Sequence, residues 1–149
     1  MRRVRRPAQH EDLMKQLAGD DGPFGTLAEV LTFAAGLGYA EGRREPLDGT
    51  GEQIDFDVFQ RLGVDGFIDM LAAAVNEDVT ILGQDKSDDR LTLFEEFANG
   101  GLDVLESRLV QTEPSLDSLL DIVLEREARE EPDDGTGVDF DAVVDELTR

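Results

Sequence analysis

Apolar residues recur along most of the chain at helical spacing. Leu13 and Leu17 share a helical face behind Pro7, a plausible first-turn residue, and Gly19, Asp20, Asp21 and Gly22 end that short segment. Thr26 is placed to cap a second helix in which Leu27, Val30, Leu31, Ala34 and Leu37 recur on one stripe while Glu29 falls off it. Gly36, Gly38 and Gly42 loosen the end of this helix. Glycine inside a helix costs about 1 kcal/mol relative to alanine, so Gly36 and Gly38 point to close packing against another backbone. Residues 43–51 read as loop.

The next segment is ambiguous. Ile54, Phe56 and Val58 alternate with Asp55 and Asp57 as in a strand, yet Asp55 is also a good N-cap for a helix holding Phe56 and Phe59, and the helix is favoured. Phe67, Ile68, Leu71, Ala72 and Val75 predict a buried helix starting after Asp65, whereas Val79, Ile81 and Leu82 are too short a run to decide. Ser87 is expected to cap a long helix with Leu91, Phe94, Phe97 and Ala98 inward and Asp88 and Asp89 near its positive end. Asn99, Gly100 and Gly101 are expected to interrupt it, since consecutive glycines suit a left-handed cap, and a further helix then runs from Leu102 to Val110. Pro114 and Ser115 open the next, with Leu116, Leu119, Leu120, Val123 and Leu124 apolar before the sequence turns polar. Residues 132–137 are a linker by composition. Phe140, Val143, Val144 and Leu147 then share one face of a short acidic helix, which either folds back on the core or docks in a partner's groove.

These patterns predict a mainly α fold: a single compact helical domain of about six or seven helices, with room for one short strand pair, and an acidic C-terminal extension. Its parts are an Arg-rich N-terminal arm (1–7), the helical domain (8–131), and an acidic linker with its amphipathic helix (132–149).

Composition changes the picture mainly through charge. Of 149 residues, 35 are acidic and 14 basic, a formal net charge of −21, while 40% hydrophobic content is enough for one core. All the basic residues but Lys15 and Lys86 are arginine. In molar salt the Debye length falls to about 3 Å, so a carboxylate-rich, lysine-poor surface stays hydrated at little cost. Adaptation to a salty cytoplasm is the favoured reading, over an acidic DNA mimic or a disordered acidic tail. Against this background the arginine clusters stand out. Arg2, Arg3, Arg5 and Arg6 crowd the start, and Arg43 and Arg44 form a second pair. The guanidinium fork matches phosphate oxygens, which makes these six residues candidates for DNA or partner contacts. Pairing with the surplus carboxylates inside the molecule is the competing reading.

The inventory excludes much chemistry. Without cysteine there are no disulfides, thiolate nucleophiles or Cys-based metal sites. The one histidine, His10, lacks a neighbouring serine motif and reads as a surface or packing residue. The segment GLGYAEG (36–42) has the wrong glycine spacing for a dinucleotide. Carboxylate pairs such as Asp55 and Asp57, Asp88 and Asp89, Glu95 and Glu96, and Asp139 and Asp141 arise by chance in so acidic a chain. The segment DKSDDR (85–90) has Arg90 where a calcium loop needs glycine. No metal, cofactor or catalytic residue is assigned. The weakly polar run from Leu31 to Ala40 is half the roughly 20 residues a membrane span requires, so a cytoplasmic protein is expected.

Several blocks, in order, resemble the DNA phosphorothioation-associated protein 4 family, also called dnd system-associated protein 4. They are RRPAQHEDLMKQL (5–17), F..L.EVLTFAAGLGY..GRREPL (24–47), I...VF (54–59) and, most specific, LFEEFANGGLDVL (93–105). They span Arg2 to Val110, and the remainder looks like a variable extension. The resemblance implies an accessory protein of a system that replaces a non-bridging phosphate oxygen of DNA with sulfur and restricts phage, with proteins of that system, and DNA, as partners. It carries no catalytic residues over. A metal-dependent nicking nuclease of the same system and an acidic regulator that blocks a DNA-binding partner are the alternatives.

If the surface is salt-adapted, stability must rise with salt. The denaturation midpoint is expected to increase between low and molar NaCl, where screening removes self-repulsion; a flat or falling midpoint would rule that reading out.

Overall fold

The computed structural model describes residues 2–110, 112–130 and 147. Among them are six α-helices and one two-stranded antiparallel sheet, a mainly helical fold with a strand pair as the sequence predicts. The chain groups into two units, residues 1–116 and 117–149.

The first unit opens with strand β1 (Arg3–Pro7), so most of the basic N-terminal segment is sheet. It pairs with β2 (Thr50–Asp55), Arg3 opposite Asp55, Val4 opposite Ile54 and Arg5 opposite Gln53, with an irregularity before Pro7 meets Thr50. Pro7 ends the strand and leads into a 3-10 turn, Ala8–His10, then helix α1 (Glu11–Leu17). Helix α2 (Leu27–Ala40) starts where expected. The Thr26 hydroxyl accepts the Glu29 backbone N–H at 3.2 Å, satisfying one of the orphan donors of the first turn.

The helix favoured for residues 54–59 forms, and the strand alternation holds only as far as Asp55. Ile54 and Asp55 finish β2, and Phe56 begins helix α3 (Phe56–Arg61). Asp55 makes no side-chain cap there, because its carboxylate is taken by Arg3 at 3.1 Å. Phe59 is fully buried and meets Phe94 edge-on, ring centroids 5.7 Å apart. Helix α4 (Asp65–Asn76) buries Ile68, Leu71 and Ala72 and closes on Glu77, whose φ of 53° is left-handed. Val79–Leu82 is a 3-10 turn fastened by Arg90, which donates to the Ile81 and Gly83 carbonyls at 2.8 and 2.7 Å and pairs with Asp69 of α4 at 2.9 Å.

Two expectations fail at helix α5, which runs unbroken from Ser87 to Arg108. Ser87 is its first helical residue rather than its cap, since a 3-10 turn, Gln84–Lys86, feeds directly into it. The expected interruption at Asn99, Gly100 and Gly101 is absent for a packing reason. A methyl group on Gly101 would fall on the Ala34 carbonyl oxygen of α2, and one on Gly100 on the Arg43 carbonyl. From the other side, a methyl on Gly38 would strike the Phe97 carbonyl of α5. The glycines let two backbones approach more closely than side chains permit. Asn99, fully buried, donates to the Glu45 and Pro46 carbonyls at 3.2 and 3.1 Å and anchors the chain after α2. Gly36, by contrast, would make only ordinary contact with Phe67.

Helix α6 (Leu116–Glu130) begins just after Pro114 and Ser115 as expected, and from Asp117 it belongs to the second unit. Of the proposed docking helix, Phe140, Val143 and Val144 lie outside the described residues; Leu147 is helical and exposed.

The crossing makes opposite predictions for two glycines. Gly101→Ala should lower stability by about 1–3 kcal/mol, the range for overpacking, although alanine is the better helix former. Gly66→Ala in α4, where the added methyl meets nothing within 4 Å, should raise it by about 0.4–1 kcal/mol. Urea denaturation at fixed salt measures both, and a Gly101→Ala variant as stable as the parent would refute the crossing.

Candidate functional site

Helix α5, largely buried between Arg90 and Leu105, carries a polar ridge. Glu95, Asn99, Asp103 and Glu106 follow at intervals of four, four and three residues, which places them on one helical face. Arg5, Arg43 and His10 lie along that ridge.

Arg5 meets the most buried of the paired acids. Its backbone N–H and its guanidinium both reach Glu95, Nε to Oε1 at 3.1 Å and Nη2 to Oε1 at 2.9 Å. Glu95 is 3% exposed, so the pair spans a buried acid and a partly open base. The hydrogen bonds to Glu95, and then its charge, raise the Arg5 pKa above its ordinary value. Arg6 is also turned inward, against Glu11 at 3.1 Å and Glu52 at 3.4 Å. Arg44 holds Glu96 at 2.8 Å and lies 5.8 Å from the centre of the Phe97 ring. Arg43 reaches Asp103 Oδ2 at 3.4 Å and Glu45 at 3.8 Å.

His10 is a buried residue with polar partners. Its ring is 2% exposed, with Nε2 2.7 Å from Asp103 Oδ1 and Nδ1 2.9 Å from Glu106 Oε2. Among the described residues, these three bring nitrogen and carboxylate ligand atoms within 4.8 Å of one another, as a metal ion would require. Sequence reasoning missed the cluster because His10 and its partners stand more than 90 residues apart and only the fold joins them.

The outer basic residues line two adjoining cavities that share Thr92. One, of about 390 Å³, has Arg2, Arg3, Arg5 and Gln53 on its walls beside Asp88 and Glu95. The other, of about 460 Å³, has Arg44, Lys86, Asn76 and Thr80 beside Asp78 and Asp89. Asp78 is held below the usual carboxylate range, first by the Thr80 backbone N–H and then by the Thr80 side chain. The first cavity carries three cations against two carboxylates and the second two against two, on a chain with a net charge of −21. Arg2 stacks its guanidinium 4.6 Å over Phe56. Among the described residues neither Arg2 nor Lys86 forms an ion pair. The fold thus joins the two sequence clusters around Thr92, adds Lys86 and leaves Arg6 and Arg43 elsewhere. Lys86 did have a signal, being one of two lysines in a chain otherwise reliant on arginine.

A sequence profile for DNA sulphur modification system-associated protein 4 matches residues 3–142. The match reaches beyond Val110, where the recognisable blocks stop, through α6 and into the segment that looked like a variable extension. No curated protein and no solved structure shows significant similarity. Among the described residues, no helix is long and apolar enough to cross a membrane.

The pairings rank the arginines for stability. Arg5→Ala strands a buried carboxylate; breaking such pairs costs about 3–5 kcal/mol, and with Arg5 partly solvated about 2–3 kcal/mol is expected. Arg3→Ala removes an exposed pair and should cost less than about 1 kcal/mol. Equal losses in chemical denaturation at one salt concentration would contradict the burial of Glu95.

Proposed function

Since the chain belongs to the DNA sulphur modification system-associated protein 4 family, we propose that it serves such a system as a non-enzymatic accessory protein in the cytoplasm. In this reading it binds another protein of the system and contacts DNA through the basic groove around Thr92. The observation that carries the reading is the placement of Arg2, Arg3, Arg44 and Lys86 along adjoining cavities of a chain otherwise so acidic. A diffuse negative field repels DNA, so contact has to be made where local charge is neutral or positive.

The roles within the groove differ. Arg2 is braced on Phe56 with its N–H edges unused by carboxylates, and the Lys86 ammonium is likewise unspent among the described residues. Arg3 holds an exposed acid, Asp55, that a phosphate can displace at little cost, because surface ion pairs contribute about 0–1 kcal/mol, whereas Arg44 holds the mostly buried Glu96 and is released at greater cost. Arg5, tied to the buried Glu95, supports the groove from within. High salt weakens bulk phosphate attraction, so binding in a salty cytoplasm would rest on this fixed geometry.

Fluorescence anisotropy with duplex DNA, with and without phosphorothioate linkages, tests the reading. An Arg2→Ala, Arg3→Ala, Lys86→Ala variant should bind more weakly, and its dependence of log K on log salt should be shallower by about 2–3. DNA binding that is unchanged in the variant, or absent from the parent at every salt concentration, would remove the groove from the account.

A further inference from the structure

We propose that His10 and Glu106, oriented by Asp103, bind one divalent transition-metal ion, Mn²⁺ or Zn²⁺. The starting point is the tautomer. A neutral imidazole has one N–H to give and one lone pair, and here both ring nitrogens face carboxylate oxygens, which only accept. The Nε2 contact with Asp103 Oδ1, at 2.7 Å, is a hydrogen bond, so the neutral ring that donates to Asp103 carries its proton on Nε2. The lone pair of Nδ1 is then left pointing away from Asp103. That atom is buried and has no hydrogen-bond partner, for Glu106 Oε2 lies 2.9 Å away but outside hydrogen-bond geometry.

An oxygen beside the lone pair but off its axis suits a second ligand on a shared ion. With bonds of about 2.1 Å, two neighbouring ligands of a six-coordinate ion stand about 3 Å apart, close to the observed separation. The rest of the arrangement resembles the support that metal-bound histidines receive. Asp103 accepts from the far nitrogen and fixes the ring, and Arg43 in turn holds Asp103 Oδ2 at 3.4 Å. Asp103 and Glu106, three residues apart on α5, project on the same face.

There is also room for the remaining ligands. Glu106 is 60% exposed and opens on a cavity of about 260 Å³ whose wall includes Asp12 and Gln16. That space admits water ligands and gives an ion a route from solvent, with a second carboxylate beside it. A nitrogen ligand favours Mn²⁺ or Zn²⁺ over Mg²⁺ and Ca²⁺, which prefer all-oxygen shells. The inference is independent of the DNA groove, with which it shares no residue.

The single histidine makes the test direct. Tag-free full-length protein, stripped with chelator and held in molar NaCl to suppress diffuse binding by its many carboxylates, is titrated with ZnCl₂ or MnCl₂ by calorimetry. Imidazole resonances are followed by NMR. One equivalent of Zn²⁺ should shift the His10 signals, with the change greatest at Nδ1, and Mn²⁺ should broaden them. Glu106→Gln, at a largely exposed position, and His10→Gln should each weaken binding by about tenfold or more, while Asp20→Asn should leave it unchanged. If His10→Gln fails to fold, Glu106→Gln carries the comparison. Imidazole signals unmoved at one equivalent, or Glu106→Gln binding as tightly as the parent, would overturn the proposal and leave His10 as an internal partner of two carboxylates.

Discussion

Everything in the first unit depends on how closely α5 approaches α2. Where Gly38 faces the Phe97 carbonyl and Gly101 faces that of Ala34, the two backbones meet with no side chain between them. That contact holds α5 so deep that residues on nearly every side of it are buried between Leu91 and Leu105. A helix so enclosed has no conventional solvent face on which to place polar residues. Glu95 and Asn99 are therefore buried along with the leucines, and each must be met by a partner from elsewhere in the chain.

The partners explain why so acidic a protein keeps its arginines where it does. Arg5 from β1, Arg43 from the segment after α2, and the Asn99 bonds to Glu45 and Pro46 all meet the ridge of α5, and Arg44 pairs with Glu96 beside it. Arg90 does the same service for α4 and the turn that follows it. Arginine suits this work better than lysine because its fork satisfies several acceptors at once and keeps its charge. The few positive charges are thus divided between internal ties and a groove rim, where Arg2 and Lys86 have no carboxylate partner among the described residues and Arg3 holds an exposed one.

Helices α1, α2, α4 and α6 were legible in the sequence because each buries one stripe, and a stripe leaves a period of three to four residues. Helix α5 was legible only in part. Buried on several sides, it shows weak periodicity, and its glycines carry the same letters as a chain reversal; what distinguishes a turn from a close crossing is the neighbouring helix. The strand pair was half visible at Ile54 and hidden at β1, where charged residues mask the alternation of buried Val4. The arginine clusters could be found as compositional outliers, but which of them face inward was not readable. Arg5 and Glu95 are 90 residues apart and His10 stands more than 90 from its partners, and such pairings exist only once the core has formed. The family resemblance rested on the very blocks that build the crossing, including the 93–105 segment, while the profile match extends through α6.

The grip of Arg5 on Glu95 also has a consequence for the order of assembly. The first strand must find one partner about fifty residues away in β2 and another ninety residues away in α5. Loop closure over such distances is slow compared with helix formation. The first strand is therefore among the last parts of the fold to settle, and it settles by neutralising an acid that the helical core has already enclosed. Until then that carboxylate resists burial, so the N-terminal strand acts as the final latch of the fold.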